Sequence, residues 1–537
     1  MTRRKQGSVA ALLAVLAALA ACRVDAATRT PPDIDLAELA CSLPQAVLEA
    51  TQRGRAPGRS GDIALIPRTP AYMTDRLGGW PHSGPWPYLQ RVPLVFYGPG
   101  LIPPSGPVGE GATLADVAPT LAHLMGTELP TAEGKSLKAA TPKQAQAPRV
   151  IVTIVWDGGG RNALEQWPDA WPNLASLERA GVSYVNAVVG SSPSVTPAVH
   201  TTLGTGTYPR THGVPLINPR GKGGRIEEAF QGGQSSASIR VPALAEIWDQ
   251  ANRGKALVAM IGYQPWHLGM IGKGAERPGG DSDHAAWMND SGQWVTNEEH
   301  YSLPANLRDH HGLGLLLRQL DSEDGRLDGF WGGNQLDDPE HLADTPAFAR
   351  YHALELIELI EQGGYGDDRI TDLIFANFKQ IDRNGHRFNM ASEEVRRSLQ
   401  GVDEALGELV AFLRSRFRPG EYAIVVTADH GLQPDADDVR GSSIDPVEVV
   451  RDIDARFGDV TESLLPTEVF LDHDRLQRWG VDAEQVARYL ADYRLEDNLA
   501  GENARNARDP VLGPQHRVFA LAIPGEMLDS LTCDGAP

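Results

Sequence analysis

Three apolar runs, each followed closely by an aspartate, constrain the fold of this chain most. The runs and their aspartates are Val150–Trp156 with Asp157, Thr371–Phe378 with Asp382, and Glu421–Thr427 with Asp429. Stretches such as VIVTIV and AIVV are apolar at consecutive positions, which is typical of parallel strands covered by helices on both faces. Helical patterns alternate with the runs. We therefore predict an α/β protein, a three-layer α/β/α doubly wound sheet.

The polar residues that follow these runs are expected to lie close together. Ligands gather outside the carboxyl ends of the strands in open parallel sheets. Thr196 follows a fourth predicted strand, Tyr184–Val189, and begins a predicted helix. The sequence therefore places Thr196 and the three aspartates at one edge of the sheet.

Composition sets outer limits on the function. The chain has 537 residues, of which 41% are hydrophobic and 22% are charged, as in ordinary soluble globular proteins. Its length fits one large domain with an inserted cap as well as two domains. The formal net charge of −21 argues against sequence-independent binding to nucleic acid, which needs basic patches. A nucleotide substrate is not excluded, because metal ions neutralise phosphate locally.

The N-terminus is typical of an export signal. Arg3, Arg4 and Lys5 precede the apolar stretch Val9–Ala21, which is too short to span a bilayer. The ending Leu-Ala-Ala-Cys22 resembles a bacterial lipobox, in which the cysteine is lipidated. The alternative is ordinary secretory cleavage beside a chance cysteine. We expect an exported protein, periplasmic or at the cell surface, with membrane contact only through such a lipid anchor.

Two further cysteines, Cys41 and Cys533, are left as a pair if Cys22 is acylated. An oxidising compartment permits a disulfide between them. The alternative is two unpaired thiols near the chain ends, since spacing alone cannot settle the geometry.

Histidines and aspartates accompany the strand ends in a dispersed set. Its members are His82 in WPHSGPW, Asp157, Asp382 and His386 in DRNGH, and Asp429 and His430 in TADHG. Such ligands suit a catalytic zinc site, although manganese or iron can also occupy it. We expect Asp382 and His386 to reach one ion from a turn containing Gly385. The adjacent Asp429 and His430 are expected to point to different places, for example to neighbouring ions. Taken alone, each motif is more often a turn with a solvated aspartate.

Thr196 is the candidate nucleophile. A hydroxyl is a weak nucleophile until a base or a metal activates it. The helix that Thr196 begins offers free N–H groups and a dipole to a phosphate. The alternative is that Thr196 merely caps this helix, since threonine is favoured at such positions.

The ordered set resembles the alkaline phosphatase superfamily, and most closely its type I phosphodiesterase/nucleotide pyrophosphatase branch. The segment TPAVHTTLGTGTYPRTHG, from Thr196 to Gly213, is similar to the nucleophile segment of that branch, with the proline displaced by one position. The resemblance implies one zinc ion held by Asp157, Thr196, Asp429 and His430. It implies a second zinc ion held by Asp382, His386 and a further histidine, and a phosphothreonine intermediate at Thr196.

That further histidine comes late in the family, whereas here the matching segment comes early. His82-Ser-Gly-Pro is followed by a predicted strand, Val92–Tyr97, and a predicted helix, Thr113–Met125, as in the family's C-terminal piece. We therefore predict a circular permutation, in which a bridge between Cys41 and Cys533 would join the new ends. The alternative is an unrelated accessory domain. The predicted division is a signal peptide 1–21, an N-terminal segment 22–60, the permuted piece 61–137, a linker 138–148, and the catalytic core 149–537 with a cap at about 215–344.

One departure from the family concerns phosphate binding. Where the branch has an asparagine three residues after the nucleophile, this chain has Val199. Arg161 and Asn162, which follow Asp157, are the candidate replacements as substrate-binding residues, together with Asn384. A surface position without a role in binding is an equal alternative for Arg161.

The sequence predicts an exported, metal-dependent phosphoric ester hydrolase. Its expected substrate is a small-molecule phosphate mono- or diester, nucleotides included. Alternatives are a sulfatase or phosphomutase of the same superfamily, or a non-catalytic surface binding lipoprotein. The sulfatase motif Cys/Ser-x-Pro-x-Arg does not occur at the nucleophile position, and a sugar-phosphate mutase would not need a leader.

Overall fold

The computed structural model describes residues 33–73, 80–141, 146–308, 312–499 and 511–533. The predicted signal peptide, Cys22 and part of the predicted linker, 142–145, lie outside these residues. Within the described ranges, no helix is both long enough and apolar enough to cross a membrane.

The strands fall into one large sheet and several smaller ones. In chain order they are β1 Ile63–Pro67, β2 Ala71–Met73, β3 Leu94–Tyr97, β4 Gly106–Thr113, β5 Val150–Trp156, β6 Val182–Val188, β7 Val258–Ile261, β8 His284–Met288, β9 Trp294–Val295, β10 Phe330–Trp331, β11 Asn334–Gln335, β12 Asp372–Phe378, β13 Tyr422–Thr427, β14 Ser442–Ile444, β15 Thr461–Leu465, β16 Glu468–Leu471 and β17 Phe519–Pro524.

The α-helices alternate with the strands through most of the chain. They are α1 Leu36–Cys41, α2 Gln45–Gly54, α3 Pro87–Gln90, α4 Val117–Met125, α5 Arg161–Gln166, α6 Pro172–Ala180, α7 Thr196–Thr205, α8 Pro209–His212, α9 Leu244–Asn252, α10 Leu313–Asp321, α11 Pro339–Leu342, α12 Pro346–Gln362, α13 Gln380–Phe388, α14 Glu393–Arg416, α15 Pro446–Phe457, α16 His473–Trp479, α17 Ala483–Ala491 and α18 Gly525–Ser530.

The large sheet is mixed, with the strand order β4-β6-β3-β13-β5-β12-β7-β8-β9. Its centre is parallel: Val150 of β5 pairs with Tyr422 of β13 on one side and with Asp372 of β12 on the other. Strand β3 runs antiparallel to both of its neighbours, and β9 runs antiparallel to β8. The predicted strands at the centre of the sheet are therefore confirmed.

Helices cover both faces of this sheet, which confirms the predicted α/β/α layering. Val152 and Ile154 of β5 pack in one apolar cluster with α5, α6, α12 and α14. Ile151 and Val155 point to the other face and pack in a second cluster with α4, α7 and α9. Because successive side chains of a strand alternate between faces, an unbroken apolar run is what two covered faces require.

A second, smaller lobe has its own sheet, with the order β15-β16-β1-β17. Its apolar cluster combines residues near the start of the described chain, such as Leu36 and Ile63, with residues near its end, such as Phe519 and Leu528. Cys41 and Cys533 form a disulfide in this lobe. This lobe could not be separated from the predicted catalytic core by sequence, because β1, at 63–67, is far in the chain from the other three strands, which lie within 461–524.

The predicted cap extends too far. Helix α9 and strands β7, β8 and β9 all lie within 215–344, yet they belong to the large sheet and its covering helices. Helix α9 and strand β7 coincide with a predicted helix at Ala243–Asn252 and a predicted strand at Ala256–Ile261, whereas β8 and β9 are short and gave little periodic signal.

Candidate active site

Neighbouring strands place two of the predicted aspartates side by side. Asp157 follows β5, and Asp429 follows β13, its parallel neighbour. The backbone N–H of Gly158 donates to Asp429 Oδ1 at 3.1 Å, and both aspartates are fully buried. Their positions follow directly from the register of the sheet.

Asp382 and His386 lie on helix α13, not in the predicted turn. The side chain of Asn384 stabilises this helix by donating hydrogen bonds to Gln380 O and to Ser398 Oγ. Gly385 lets the helix approach Leu432, whose Cδ2 would be only 2.6 Å from a Cβ at that position. Tertiary contacts thus override the turn preference of Asn-Gly. Residues four apart share a helix face, and His386 Nε2 lies 3.4 Å from Asp382 Oδ1.

His82 reaches the same place from the N-terminal segment. Its Nε2 is 3.2 Å from Asp382 Oδ1, and its ring stacks on that of His430 with a centroid distance of 3.4 Å. Asp382, His386 and His82 therefore form one group whose geometry could hold a metal ion.

Asp429 and His430 point to one place, contrary to the expectation that they diverge. His430 Nε2 lies 3.4 Å from Asp429 Oδ2 and 3.4 Å from Asp157 Oδ1. The carbonyl of Gly431 lies 3.1 Å from the other ring nitrogen. Asp157, Asp429 and His430 form a second group that could hold a metal ion.

Thr196 lies beside these groups as the first residue of α7. Val195 occupies the capping position, and no side chain caps this helix. Thr196 Oγ1 instead accepts a hydrogen bond from Lys379 Nζ at 3.1 Å. The alternative role as a mere helix cap therefore finds no support in the geometry.

Lys379 is the site residue that the sequence analysis missed. It follows strand β12 and is buried, and its Nζ lies 2.7 Å from Asp157 Oδ1 and 2.8 Å from Asp382 Oδ2. A single lysine after a strand has no diagnostic spacing. Its position three residues before Asp382 was the only signal that could have placed it here.

The charges in the site are strongly coupled. Burial and the charge of Asp157 raise the pKa of Asp429 above its usual range. Burial alone would also raise the pKa of Asp157, but the ammonium of Lys379 together with the hydrogen bond and charge of His430 outweighs burial, and the pKa is lowered. Burial lowers the pKa of His82, so its imidazole is neutral and able to bind a metal. Three buried carboxylates face one buried ammonium, a balance that favours bound cations.

The side chains fit a pair of metal ions. Several buried atoms that face the site have no hydrogen-bond partner, namely Asp382 Oδ1, Asp429 Oδ2 and His430 Nε2. Buried polar atoms are seldom left unpaired, so unpaired atoms within these neighbouring groups of histidines and aspartates indicate ligands for ions. Nitrogen and carboxylate donors are those that zinc and similar metals prefer.

Comparison with known proteins agrees with this geometry. The family model of type I phosphodiesterases/nucleotide pyrophosphatases matches residues 151–514, more than half of the chain. The chain belongs to this family. The match includes every predicted site residue except His82, which lies before its start.

Relatives and solved structures are distant. The chain is 21% identical over 413 residues to a protein named calcium-transporting ATPase from Myroides odoratus, covering 65% of this chain and 74% of the relative. It is 25% identical over 266 residues to an uncharacterized pyrophosphatase/phosphodiesterase of Schizosaccharomyces pombe, covering 50% of this chain and 41% of the relative. The fold is similar to that of the alkaline phosphatase PafA, with a TM-score of 0.51 and 16% identity over 66% of this chain and 76% of the other.

Two further histidines adjoin the site and were also missed. His200 and His267 are buried, with their Nδ1 atoms 2.8 Å apart, and His200 Nε2 lies 3.6 Å from Asp429 Oδ2. His200 lies on the same helix as Thr196. A histidine on a buried helix face usually belongs to the core, so its proximity to Asp429 could not be read from the sequence.

The candidate phosphate-binding residues are engaged elsewhere. Arg161 pairs with Glu178 at 2.8 Å, and Asn162 Oδ1 accepts from the backbone N–H of Leu432 at 3.2 Å. The side-chain amide of Asn384 donates to Gln380 O within α13 and to Ser398 Oγ of α14. Substrate binding by these residues stays a prediction. Val199 is fully buried in the apolar cluster beneath α7.

Proposed function

We propose that this protein hydrolyses small-molecule phosphate esters through Thr196, with two metal ions of the zinc type as cofactors. The observation that carries the proposal is the convergence of His82, Asp382 and His386 beside Asp157, Asp429 and His430, with unpaired donor atoms facing the space next to Thr196. Membership of the family makes a phosphate ester the expected substrate.

The residues of the site fall into two metal-holding groups and a nucleophile. Asp157, Asp429 and His430 would hold one ion with Thr196, and His82, Asp382 and His386 would hold the other. When bound, the ions supply Lewis acidity and neutralise charge on the phosphoryl and leaving oxygens.

The chain itself positions the attack. Thr196 lies in the first turn of helix α7, where the positive end of the helix dipole favours the binding of an anion such as the phosphate of a substrate. The hydroxyl of Thr196 gives up its proton to solvent and its oxygen attacks phosphorus in line. The P–O bond to the leaving group breaks, the leaving oxygen takes up a proton from solvent to become the alcohol, and a phosphothreonine forms. Water then hydrolyses the phosphothreonine and releases phosphate, or a monoester if the substrate was a diester.

The order of the site residues supports a circular permutation. Strand β3 lies inside the large sheet between β6 and β13, although residues 63–137 precede the family match. His82 completes one of the metal groups from the same segment. An unrelated accessory domain would have no reason to supply both an interior strand and a metal ligand. Export, with lipidation at Cys22, is part of the same proposal and rests on the N-terminal sequence alone.

Replacement of the nucleophile tests the mechanism. We expect Thr196→Ala to lower turnover of p-nitrophenyl phosphate about 10³-fold or more, because no other group replaces an absent nucleophile. Its metal content, measured by mass spectrometry, and its thermal melt should stay close to those of the wild type. Thr127→Ala, at a partly exposed position just beyond the C-terminal end of α4, serves as the matched control.

Two results would contradict the proposal. Turnover in Thr196→Ala within a few fold of wild type would remove Thr196 as the nucleophile. Equal loss in Thr196→Ala and Thr127→Ala would mean that the change reports on folding and not on chemistry.

A further inference from the structure

The buried ammonium of Lys379 has more contacts than a simple counter-ion needs. An ammonium donates three hydrogen bonds. Two of these go to carboxylates, Asp157 Oδ1 at 2.7 Å and Asp382 Oδ2 at 2.8 Å. The third goes to Thr196 Oγ1 at 3.1 Å, the atom that would attack phosphorus.

The contact with Asp382 leaves room for a metal ion. The two carboxylate oxygens of Asp382 face different partners. Oδ1 faces the imidazoles of His82 and His386, at 3.2 Å and 3.4 Å, whereas Oδ2 faces Lys379. An ion held by the imidazoles and Oδ1 therefore need not displace the ammonium. Asp157 Oδ1 is shared between Lys379 and His430, and a carboxylate oxygen can accept two partners.

The position three residues after Thr196 provides no side-chain donor to a phosphate. Val199 is apolar and faces the core, and Arg161, Asn162 and Asn384 are held by partners outside the site. When a phosphoryl group is bonded to Thr196 Oγ1, its non-bridging oxygens lie close to Oγ1. A donor 3.1 Å from Oγ1 lies within reach of them.

We propose that Lys379 is a phosphate-binding residue that holds a non-bridging phosphoryl oxygen and favours phosphate monoesters over diesters. This inference rests on the proposed function of the same site. A lysine ammonium acts on phosphate as a point charge. A monoester carries two negative charges at neutral pH and a diester carries one, so the ammonium attracts the monoester more strongly in a buried setting. The substrate class is therefore a compound with a terminal phosphate.

The test compares Lys379→Met with wild type, both loaded with zinc. Binding of inorganic phosphate, measured by calorimetry, is expected to weaken about tenfold or more in the variant, while zinc content stays the same. The kcat/KM for p-nitrophenyl phosphate is expected to fall about 100-fold, the usual loss when one preorganised donor is removed. The value for bis-p-nitrophenyl phosphate should fall at least several-fold less.

Lys135→Met is the matched control, since Lys135 is exposed and its ammonium pairs with Glu110 at 3.0 Å. If Lys379→Met does not fold, Lys379→Arg, which keeps the positive charge, must retain phosphate binding. Three results would overturn the inference. The first is an unchanged affinity of Lys379→Met for phosphate, and the second is a variant that loses bound zinc but not phosphate affinity. The third is an equal fall in kcat/KM for the two esters. A wild-type protein that hydrolyses no ester would contradict the proposed function, while the phosphate titration would still decide the role of Lys379.

Discussion

At the scale of single residues, Asp429 has the most constrained surroundings in the site. Its Oδ1 accepts from the backbone N–H of Gly158, and its Oδ2 faces His430 at 3.4 Å and His200 at 3.6 Å. His200 in turn lies 2.8 Å, nitrogen to nitrogen, from His267. This chain of contacts orients Asp429, as partners of metal ligands commonly do.

His200→Asn is expected to weaken zinc binding about 10- to 100-fold, because Asp429 loses a partner that fixes its orientation. A chelator competition titration of the purified protein measures this affinity. His341→Asn, at a partly exposed position that pairs with Asp338, is the matched control. Zinc affinity in His200→Asn equal to that of the control would show that His200 belongs only to the core.

The predicted ligand residues other than His82 could be read from the sequence because each follows a strand or recurs at a helical spacing. Asp157, Asp382 and Asp429 follow apolar runs that are visible without any structure. Lys379 also follows a strand, but a lone lysine there has no diagnostic spacing, and His200 and His267 do not directly follow a strand. A lysine or histidine inside an apolar segment looks the same whether it faces the core or a site.

At the scale of elements, helix α12 carries an unusual buried acid. Glu355 is buried, and its Oε2 accepts from Asn306 Nδ2 at 2.9 Å. Burial raises the pKa of Glu355 to about 7. The folded state therefore holds a proton that the unfolded chain releases at lower pH. The contribution of Glu355 is most favourable below the unfolded pKa and is lost as pH rises towards 7.

Glu355→Gln should remove this pH dependence. The free energy of unfolding of the wild type is expected to fall, relative to the variant, by up to about 3 kcal/mol between pH 4.5 and pH 7.5. Urea denaturation at a series of pH values measures the difference. Glu361→Gln, at an exposed position on the same helix, should follow the wild type. Parallel curves for wild type and Glu355→Gln would contradict the assignment.

The elements differ in how far the sequence could predict them. Helix α14 carries its start signal in the sequence, since Ser392 accepts from the backbone N–H of Val395 and Glu393 and Glu394 follow it. Helix α13 was predicted as a turn, since its Asn384-Gly385 pair has a low local helix preference that only packing against Leu432 and Ser398 overcomes. Local sequence preference predicts an element correctly where packing favours the same structure, as in α14. It predicts the wrong structure where packing opposes it, as in α13.

At the scale of the whole molecule, both ends of the described chain meet in the smaller lobe. Strand β1 pairs with β16 and β17, and the disulfide between Cys41 and Cys533 joins segments 492 residues apart. The bridge between Cys41 and Cys533 was predicted with the permutation, but the strand pairings leave no local trace in the sequence, which is why this lobe was not predicted. The placement of β3 and His82 was predicted, because a short motif carried enough resemblance to fix its partners.

The central claim is that the site hydrolyses phosphate esters only with its metal ions bound. The most direct test is to strip the purified protein with a chelator and titrate it with zinc. Turnover of p-nitrophenyl phosphate, bis-p-nitrophenyl phosphate and thymidine-5′-p-nitrophenyl phosphate is then followed alongside bound zinc. We predict no turnover of any ester in the stripped protein and a rise to a plateau at two zinc ions per chain. Full turnover without metal, or two bound zinc ions with no turnover of any ester, would contradict the account.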